Sequence, residues 1–200
     1  MSRSKHSFDS LIRCVAVVVL GFISTAVATH AQSLPAPIRI SNGIGGGKSF
    51  SAMAVDAKGG IDVAWTQSDG SVTFRRSTDG GRTFSNPAVV QPAISPTPIL
   101  VAIQIGTDEA GNINLVWTEF GAGPDADLFS RSTDGGLTFS TPKDLAPSFG
   151  APVGGIPRLA VDSTGDIQVG DVTIQTVNNA IVAPLVFIHS TDGGQLFLLR

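Results

Sequence analysis

An octapeptide that recurs three times is the feature that most restricts how this chain can fold. STDGGRTF occupies residues 77–84, STDGGLTF occupies 132–139 and STDGGQLF occupies 190–197, so the copies are nearly evenly spaced along the chain. Self-similarity at a regular spacing indicates a chain built from repeated structural units. We therefore interpret the chain after residue 31 as three copies of one unit, each containing one octamer.

Each octamer is preceded by the same succession of turns and alternating segments. A turn Asp ends a short apolar segment in each unit, at Asp56, Asp108 and Asp162. The alternating segments that follow are IDVAWT (61–66), INLVWT (113–118) and IQVGDV (167–172). Alternation with a period of two is typical of a β-strand. Each unit is therefore predicted to contain four antiparallel strands, A to D, with the octamer as the turn between C and D.

The octamer contains the residue types that a tight turn requires. Asp79 is expected to accept hydrogen bonds from backbone N–H groups ahead of it, and Ser77 to add a second side-chain bond. Gly80 and Gly81 permit the positive φ of such a turn. Because Asp134 and Asp192 occupy the same context, we interpret all three carboxylates as turn-forming groups and not as catalytic acids.

The octamers resemble the Asp-box, or BNR, repeat of the sialidase superfamily, Ser-x-Asp-x-Gly-x-Thr-aromatic. Phe stands at the aromatic position, and Leu196 replaces Thr in the third copy. The resemblance is to bacterial secreted exo-α-sialidase-like proteins and covers about residues 34–200. It implies an all-β chain of three four-stranded antiparallel propeller blades. Their approximate bounds are 48–90, 99–145 and 156–200, with 34–41 as an outer strand.

The residues that the resemblance implies for sialidase catalysis are not matched. Sialidases of this fold use a Tyr–Glu pair, an arginine triad and an Asp acid, and this chain contains no Tyr. The Arg-Ile-Pro motif of the family is matched only as Arg39-Ile40-Ser41. Arg76 and Arg131 precede successive octamers at the same position, which predicts a structural role for both. No catalytic residue is therefore assigned.

Length differences between the units indicate where a ligand would bind. The segment that leads from Trp65, Trp117 or Asp171 to the octamer Ser grows longer from the first unit to the third. The variable connection, between strands B and C, lies at the end opposite the octamers, where loops are free to carry binding groups. Trp65 and Trp117, at equivalent positions, are predicted to belong to the core. The candidate ligand-binding residues at the variable end are Glu119, Asp125 and Arg158.

Residues 1–31 have the layout of a secretory signal peptide. A basic start is followed by an uninterrupted apolar or small run over residues 14–28, which is shorter than the roughly 20 residues of a membrane-spanning helix. Cleavage is expected after Ala31 or after Ala28. The predicted mature region, residues 32–200, would be exported to the periplasm or the cell exterior, with no membrane association after cleavage.

Composition limits the class of partner. The region after residue 31 carries 10 basic and 15 acidic residues, a net charge of −5, which gives no reason to expect a nucleic acid or an anionic membrane as partner. The turns DAKGG, DEAGN and DSTGD lack the dense oxygen-ligand spacing of a calcium loop. No metal and no cofactor is predicted.

Three hypotheses for function stay open at this point. The chain is a secreted, non-catalytic module that binds a carbohydrate or a protein, or a sialidase-like glycoside hydrolase or part of one, or a truncated product without activity of its own. Propellers typically have about four to eight blades. With three blades, we expect a partial or open propeller. It would belong to a longer reading frame or pair with a second copy as a homodimer.

Overall fold

Three separate four-stranded sheets follow one another along the chain, one for each predicted unit. All strand pairs in them are antiparallel. The structure is a computed structural model that describes residues 36–41, 50–93, 99–121 and 125–199. The prediction of an all-β chain with three four-stranded antiparallel units is confirmed.

The sheets keep their strands in sequence order, and a separate two-stranded hairpin lies within one connection of the third sheet. The first sheet consists of β1 (Ser51–Val55), β2 (Ile61–Thr66), β3 (Val72–Ser77) and β4 (Ala88–Gln91). The second consists of β5 (Ile99–Thr107), β6 (Ile113–Phe120), β7 (Ala126–Ser132) and β8 (Lys143–Asp144), followed by the short helix α1 (Ala146–Phe149). The third consists of β9 (Arg158–Val161), β10 (Ile167–Val172), β13 (Leu185–Ser190) and β14 (Leu198–Leu199). The hairpin consists of β11 (Gln175–Val177) and β12 (Ala180–Val182).

Alternation along β6, the second strand of the middle sheet, supplies residues to two cores, because this strand is covered on both faces. In β6, Ile113, Leu115 and Trp117 face the first sheet, whereas Val116 faces the third. Trp117 is fully buried and Trp65 nearly so. The prediction that both tryptophans are core residues is confirmed.

The first core fills the junction between the first and second sheets, and the second core fills the junction between the second and third. The first sheet contributes Ala64, Val72, Phe74 and Val90 to the first core. The second core joins Val116, Phe129 and Leu145 to Ile167, Val169, Ile188 and Phe197 of the third sheet. An octamer Phe packs edge-on against a Phe of the preceding sheet at both junctions, with ring centroids 5.1 Å apart for Phe74–Phe139 and 5.2 Å apart for Phe129–Phe197. The sheets therefore stack through a repeated aromatic contact.

The fourth strand starts later than predicted. Strand D was expected to begin at the octamer Phe, yet β4 begins at Ala88 and β8 at Lys143, four positions further on. Residues 84–87 of the first unit form no ladder and include Pro87, which has no N–H to donate.

The antiparallel order gives the sheets two distinct ends. The turns after β1, β5 and β9 and the three octamers lie at one end, the octamer end. The connections β2–β3, β6–β7 and β10–β13 lie at the other, the loop end. The first strands of the sheets are neighbours, because β5 contacts both β1 and β9.

Two predictions concern the start of the chain. Residues 1–31, the predicted signal peptide, lie outside the described residues. Residues 36–41 of the predicted outer strand 34–41 have no regular secondary structure, and the Arg75 guanidinium donates a hydrogen bond to the Ile40 carbonyl at 2.6 Å. Across the described ranges, no helix is long and apolar enough to cross a membrane.

Candidate functional site

The octamer carboxylates bind their own turns. Asp79 accepts hydrogen bonds from the Thr83 backbone N–H at 2.9 Å and the Thr83 hydroxyl at 2.6 Å. The Ser77 hydroxyl accepts one from the Gly81 N–H at 2.9 Å. Hydrogen bonds from Thr83 and Ser77 lower the pKa of Asp79 to about 2. The predicted turn-forming role of Asp79 matches these contacts.

The second and third octamers repeat this geometry. Asp134 accepts from the N–H of Thr138 at 3.0 Å and from its hydroxyl at 2.5 Å, and hydrogen bonds from Thr138 lower the pKa of Asp134 to about 2. Asp192 accepts the N–H of Leu196 at 2.9 Å, and that bond lowers the pKa of Asp192 as well. Leu196 has no hydroxyl to donate, so the third turn lacks one bond. Three carboxylates already committed to their own turns are poor candidates for acid–base catalysis.

The arginines before the octamers are also structural. Arg76 forms ion pairs with Asp56 and with Asp62, the latter at 3.0 Å. Burial raises the pKa of Asp62 to about 6, although Arg76 opposes the shift. Arg131 pairs with Asp108 at 3.3 Å in the second sheet. The prediction of a structural role for Arg76 and Arg131 agrees with these contacts, which in the first two sheets join the first turn to the third strand.

Two clefts at the octamer end recur at the two junctions. One, of about 700 Å³, lies between the first and second octamers and includes Phe84 and Asp134 in its lining. The other, of about 500 Å³, lies between the second and third and includes Phe139 and Gly194. A cleft that repeats wherever two units meet is explained by the repeat itself, so we do not assign a ligand to either.

The loop end contains an open cavity of about 810 Å³ lined by all three sheets. Phe50 precedes β1, Phe120 ends β6, and Arg158 begins β9. Asp171 of β10 and Leu185 of β13 complete one wall. Gly154, Gly155 and Gly170 also line it. We call this the loop-end cavity.

The three candidate residues lie at the loop end, in different relations to the cavity. Arg158 is exposed and lines it. Glu119 directly precedes the cavity residue Phe120 and accepts a hydrogen bond from the Gln91 side-chain amide, which joins the first two sheets. Asp125 is exposed just before β7, whose first residue, Ala126, is the strand partner of Glu119. Glu119 and Asp125 are thus neighbours at the rim, and of the three only Arg158 lines the cavity.

A buried pair of carboxyl groups, which the sequence analysis did not select, lies beside the cavity. Asp127 on β7 and Asp171 on β10 face each other across the second junction, at 0% and 1% exposure respectively. Asp127 Oδ1 accepts the Thr118 hydroxyl at 2.7 Å, and Asp171 Oδ1 accepts the Val172 N–H at 2.7 Å. Oδ2 of each has no hydrogen-bond partner among the described residues. Burial and the neighbouring Asp171 raise the pKa of Asp127 to about 8.

One sequence signal could have identified half of this pair. Asp171 stands where the other two units have Trp65 and Trp117, an acidic residue at a core position. Asp127 gives no comparable signal, because its burial depends on how the second sheet packs against the third.

The long connection between β10 and β13 contains hairpin β11–β12, which was not predicted. Its turn residues Asn178 and Asn179 have φ of 52° and 60°, as a type I′ turn requires.

Comparison of the sequence with known proteins identifies no family. No family model matches the chain, and no curated protein is significantly similar to it.

Solved structures share its fold. The Hadza microbial sialidase Hz136 superposes with a TM-score of 0.57 at 15% identity, over 76% of this chain and 37% of that one. An α-L-arabinanase of Penicillium chrysogenum, solved with arabinobiose, gives a TM-score of 0.52 at 14% identity, over 75% and 48%. The α-L-arabinofuranosidase arb93a of Fusarium graminearum gives 0.52 at 16% identity, over 72% and 45%. The chain spans less than half the length of each. The likeness shows that the three sheets are blades of a β-propeller.

Proposed function

We propose that the chain is an exported propeller module of the Asp-box type that binds a carbohydrate in the loop-end cavity without cleaving it. The observation that carries this proposal is the cavity lining. Two phenylalanine residues, three glycines and the polar residues Arg158 and Asp171 surround a space of about 810 Å³. Ring faces suit the apolar faces of sugars, and a few convergent polar groups orient the ligand.

The rim residues fit this proposal. Glu119 and Asp125 lie at the same end of the second blade, next to the cavity residue Phe120. Carboxylates accept hydrogen bonds from ligand hydroxyl groups. We assign Arg158 to the cavity wall and Glu119 and Asp125 to its rim. The solved structures of this fold include glycosidases, which is why a carbohydrate is preferred to a protein ligand.

Binding is preferred to catalysis because of what the chain offers as a nucleophile. The sequence contains no Tyr, so the covalent route implied by the sialidase resemblance is closed. The octamer carboxylates are held in their own turns. In the described part of the chain, we find no Ser or Thr hydroxyl placed beside a His base as a nucleophile would require.

Titration calorimetry with a panel of oligosaccharides tests the proposal. Phe120→Ala and Arg158→Ala should each weaken binding at least tenfold, while Glu109→Gln, an exposed acid at the octamer end, should not. A wild-type protein that binds no member of the panel, or binds equally after both cavity substitutions, would contradict the proposal.

A second candidate function, glycoside hydrolysis, is favoured by one observation. A general acid requires a carboxyl group with a raised pKa beside the ligand site, and burial raises the pKa of Asp127, which neighbours the cavity residue Asp171. Fluorogenic sialosides and arabinofuranosides test this alternative. Turnover that survives purification and disappears in Asp171→Asn would replace binding by hydrolysis as the function.

A further inference from the structure

At equivalent positions, the first blade junction has apolar side chains and the second has carboxyl groups. Val72 and Asp127 each lie five positions before an octamer Ser, and Trp117 and Asp171 each lie nine positions after a turn Asp. At the first junction Val72 and Trp117 are buried together in one apolar core. At the second junction both positions carry carboxyl groups, equally buried. A matched apolar pair in one place is therefore a matched acidic pair in the other.

The acidic pair is not needed to build a junction. The Val72–Trp117 pair shows that the same strand geometry closes with apolar side chains. Burying carboxyl groups costs free energy unless their hydrogen bonds are fully satisfied, and within the described residues Oδ2 of each Asp has no hydrogen-bond partner. Polar residues at positions where apolar packing is expected are typical of functional sites.

Of the pair, Asp171 is the member that reaches the loop-end cavity. Asp171 lines the loop-end cavity, and Asp127 lies behind it on the neighbouring blade. We infer that the Asp127–Asp171 pair recognises a hydroxyl group of an uncharged saccharide bound in the loop-end cavity. This inference rests on the proposed carbohydrate-binding function and names the chemical class of ligand for the same cavity.

The hydrogen-bonding capacity of the pair matches a hydroxyl group. Because burial raises the pKa of Asp127, its carboxyl group can present an O–H donor beside the acceptor oxygens of Asp171. A sugar hydroxyl is itself both donor and acceptor, so it matches the hydrogen-bonding capacity of this carboxyl pair.

The charges around the cavity disfavour an anionic sugar. Asp171 and Asp144 on β8 both create a negative field at Asp127, which raises its pKa. Glu119 lies at the rim, and Arg158 is the one cationic side chain among the described lining residues. This described lining thus has no surplus positive charge to bind a carboxylate, and an uncharged saccharide is the better match.

The experiment replaces the acidic pair of the second junction with the apolar pair of the first. The double variant Asp127→Val with Asp171→Trp reproduces the Val72–Trp117 pair, and Asp171→Asn removes the charge with little change in shape. Calorimetry at pH 6.5 would use uncharged arabinan, xylan and glucan oligosaccharides alongside sialyllactose and oligouronates. Glu109→Gln is the control. We expect the wild type to bind an uncharged oligosaccharide. The double variant and Asp171→Asn should each lose at least tenfold in affinity. The melting temperature of the double variant should be no lower than that of the wild type.

Three results would overturn the inference. The first is a folded double variant that binds as the wild type does. The second is unchanged binding by Asp171→Asn, which decides the matter if the double variant does not fold. The third is binding confined to the anionic sugars, which leaves the proposed function standing. If the wild type binds no saccharide at all, the proposed function itself fails.

Discussion

Gly136 in the second octamer lies against the ring of Phe74 in the first blade, so closely that a β-carbon at position 136 would overlap the ring. The third octamer repeats the contact, with Gly194 against the ring of Phe129. Gly135, directly before Gly136, has open space around it, although its φ of +74° is as left-handed as the +86° of Gly136. The second glycine of the octamer thus serves packing between blades as well as turn geometry.

This difference predicts unequal effects of alanine at the two glycines. Both substitutions impose a left-handed backbone on alanine, at about 1–2 kcal/mol, but only Gly136→Ala also forces Phe74 to move, which should add about 1–3 kcal/mol. Urea denaturation of the two variants compares them directly. Equal destabilisation would show that the contact with Phe74 does not hold the blades together.

The octamer carboxylates should act on stability and not on binding. Asp79→Ala and Asp134→Ala each remove turn hydrogen bonds, and we expect the melting temperature to fall by roughly 2–6 °C. Arg158→Ala, at the loop end, should leave the melting temperature nearly unchanged and weaken ligand binding. Thermal melts followed by circular dichroism, with calorimetry on the same samples, separate the two effects. Octamer variants that melt normally and yet fail to bind would reverse this assignment.

The buried pair should make the protein less stable as the pH rises. The pKa of Asp127 is about 8 in the folded chain against an ordinary value of 3.8. Between these values the folded state binds one more proton than the unfolded state, so the free energy of unfolding falls with increasing pH. Asp62, with a pKa of about 6, acts in the same direction at lower pH.

The window from about pH 6.5 to 8 isolates Asp127, because the contribution of Asp62 is mostly complete below it. Across this window the wild type should lose up to about 2 kcal/mol of stability, whereas Asp127→Asn should lose little. Urea denaturation at intervals of half a pH unit gives both curves. Parallel curves would mean that Asp127 titrates as an ordinary carboxyl group.

Export is predicted from the composition of residues 1–31. The basic start, the apolar run and the small residues after it should be removed during secretion. Terminal sequencing of protein recovered from the periplasm or the medium should begin at Gln32, or at Thr29 if the earlier site is used. Exported protein that begins at Met1 would disprove cleavage.

The first blade should promote self-association through exposed apolar side chains on β1. Met53 and Val55 are 68% and 60% exposed, whereas Ile105, which like Met53 lies three positions before a turn Asp, packs against the first core. Exposed apolar patches of this kind favour association. Light scattering should show concentration-dependent oligomers that Met53→Gln with Val55→Thr reduces. Ile181→Gln, a substitution at a residue 79% exposed on hairpin β11–β12, should have no such effect, and a monomer at all concentrations would contradict the prediction.

The sequence by itself determined the features that depend on local chemistry. Three octamers at a blade-like period, each preceded by the same alternation, were sufficient to predict the four-stranded units, the turn bonds of Asp79 and Asp134 and the burial of Trp65 and Trp117. Turn geometry and strand alternation are set by residues a few positions apart, so a linear pattern contains them.

Only the tertiary structure decided which residues meet across the junctions. Asp127 and Asp171 belong to different repeats of the chain and face each other because two blades stack with a particular offset, which no local pattern encodes. The loop-end cavity likewise draws its lining from three blades. Arg158 was predicted from its position at the loop end, but the carboxyl pair beside it depends on burial, and burial is a property of the packed blades.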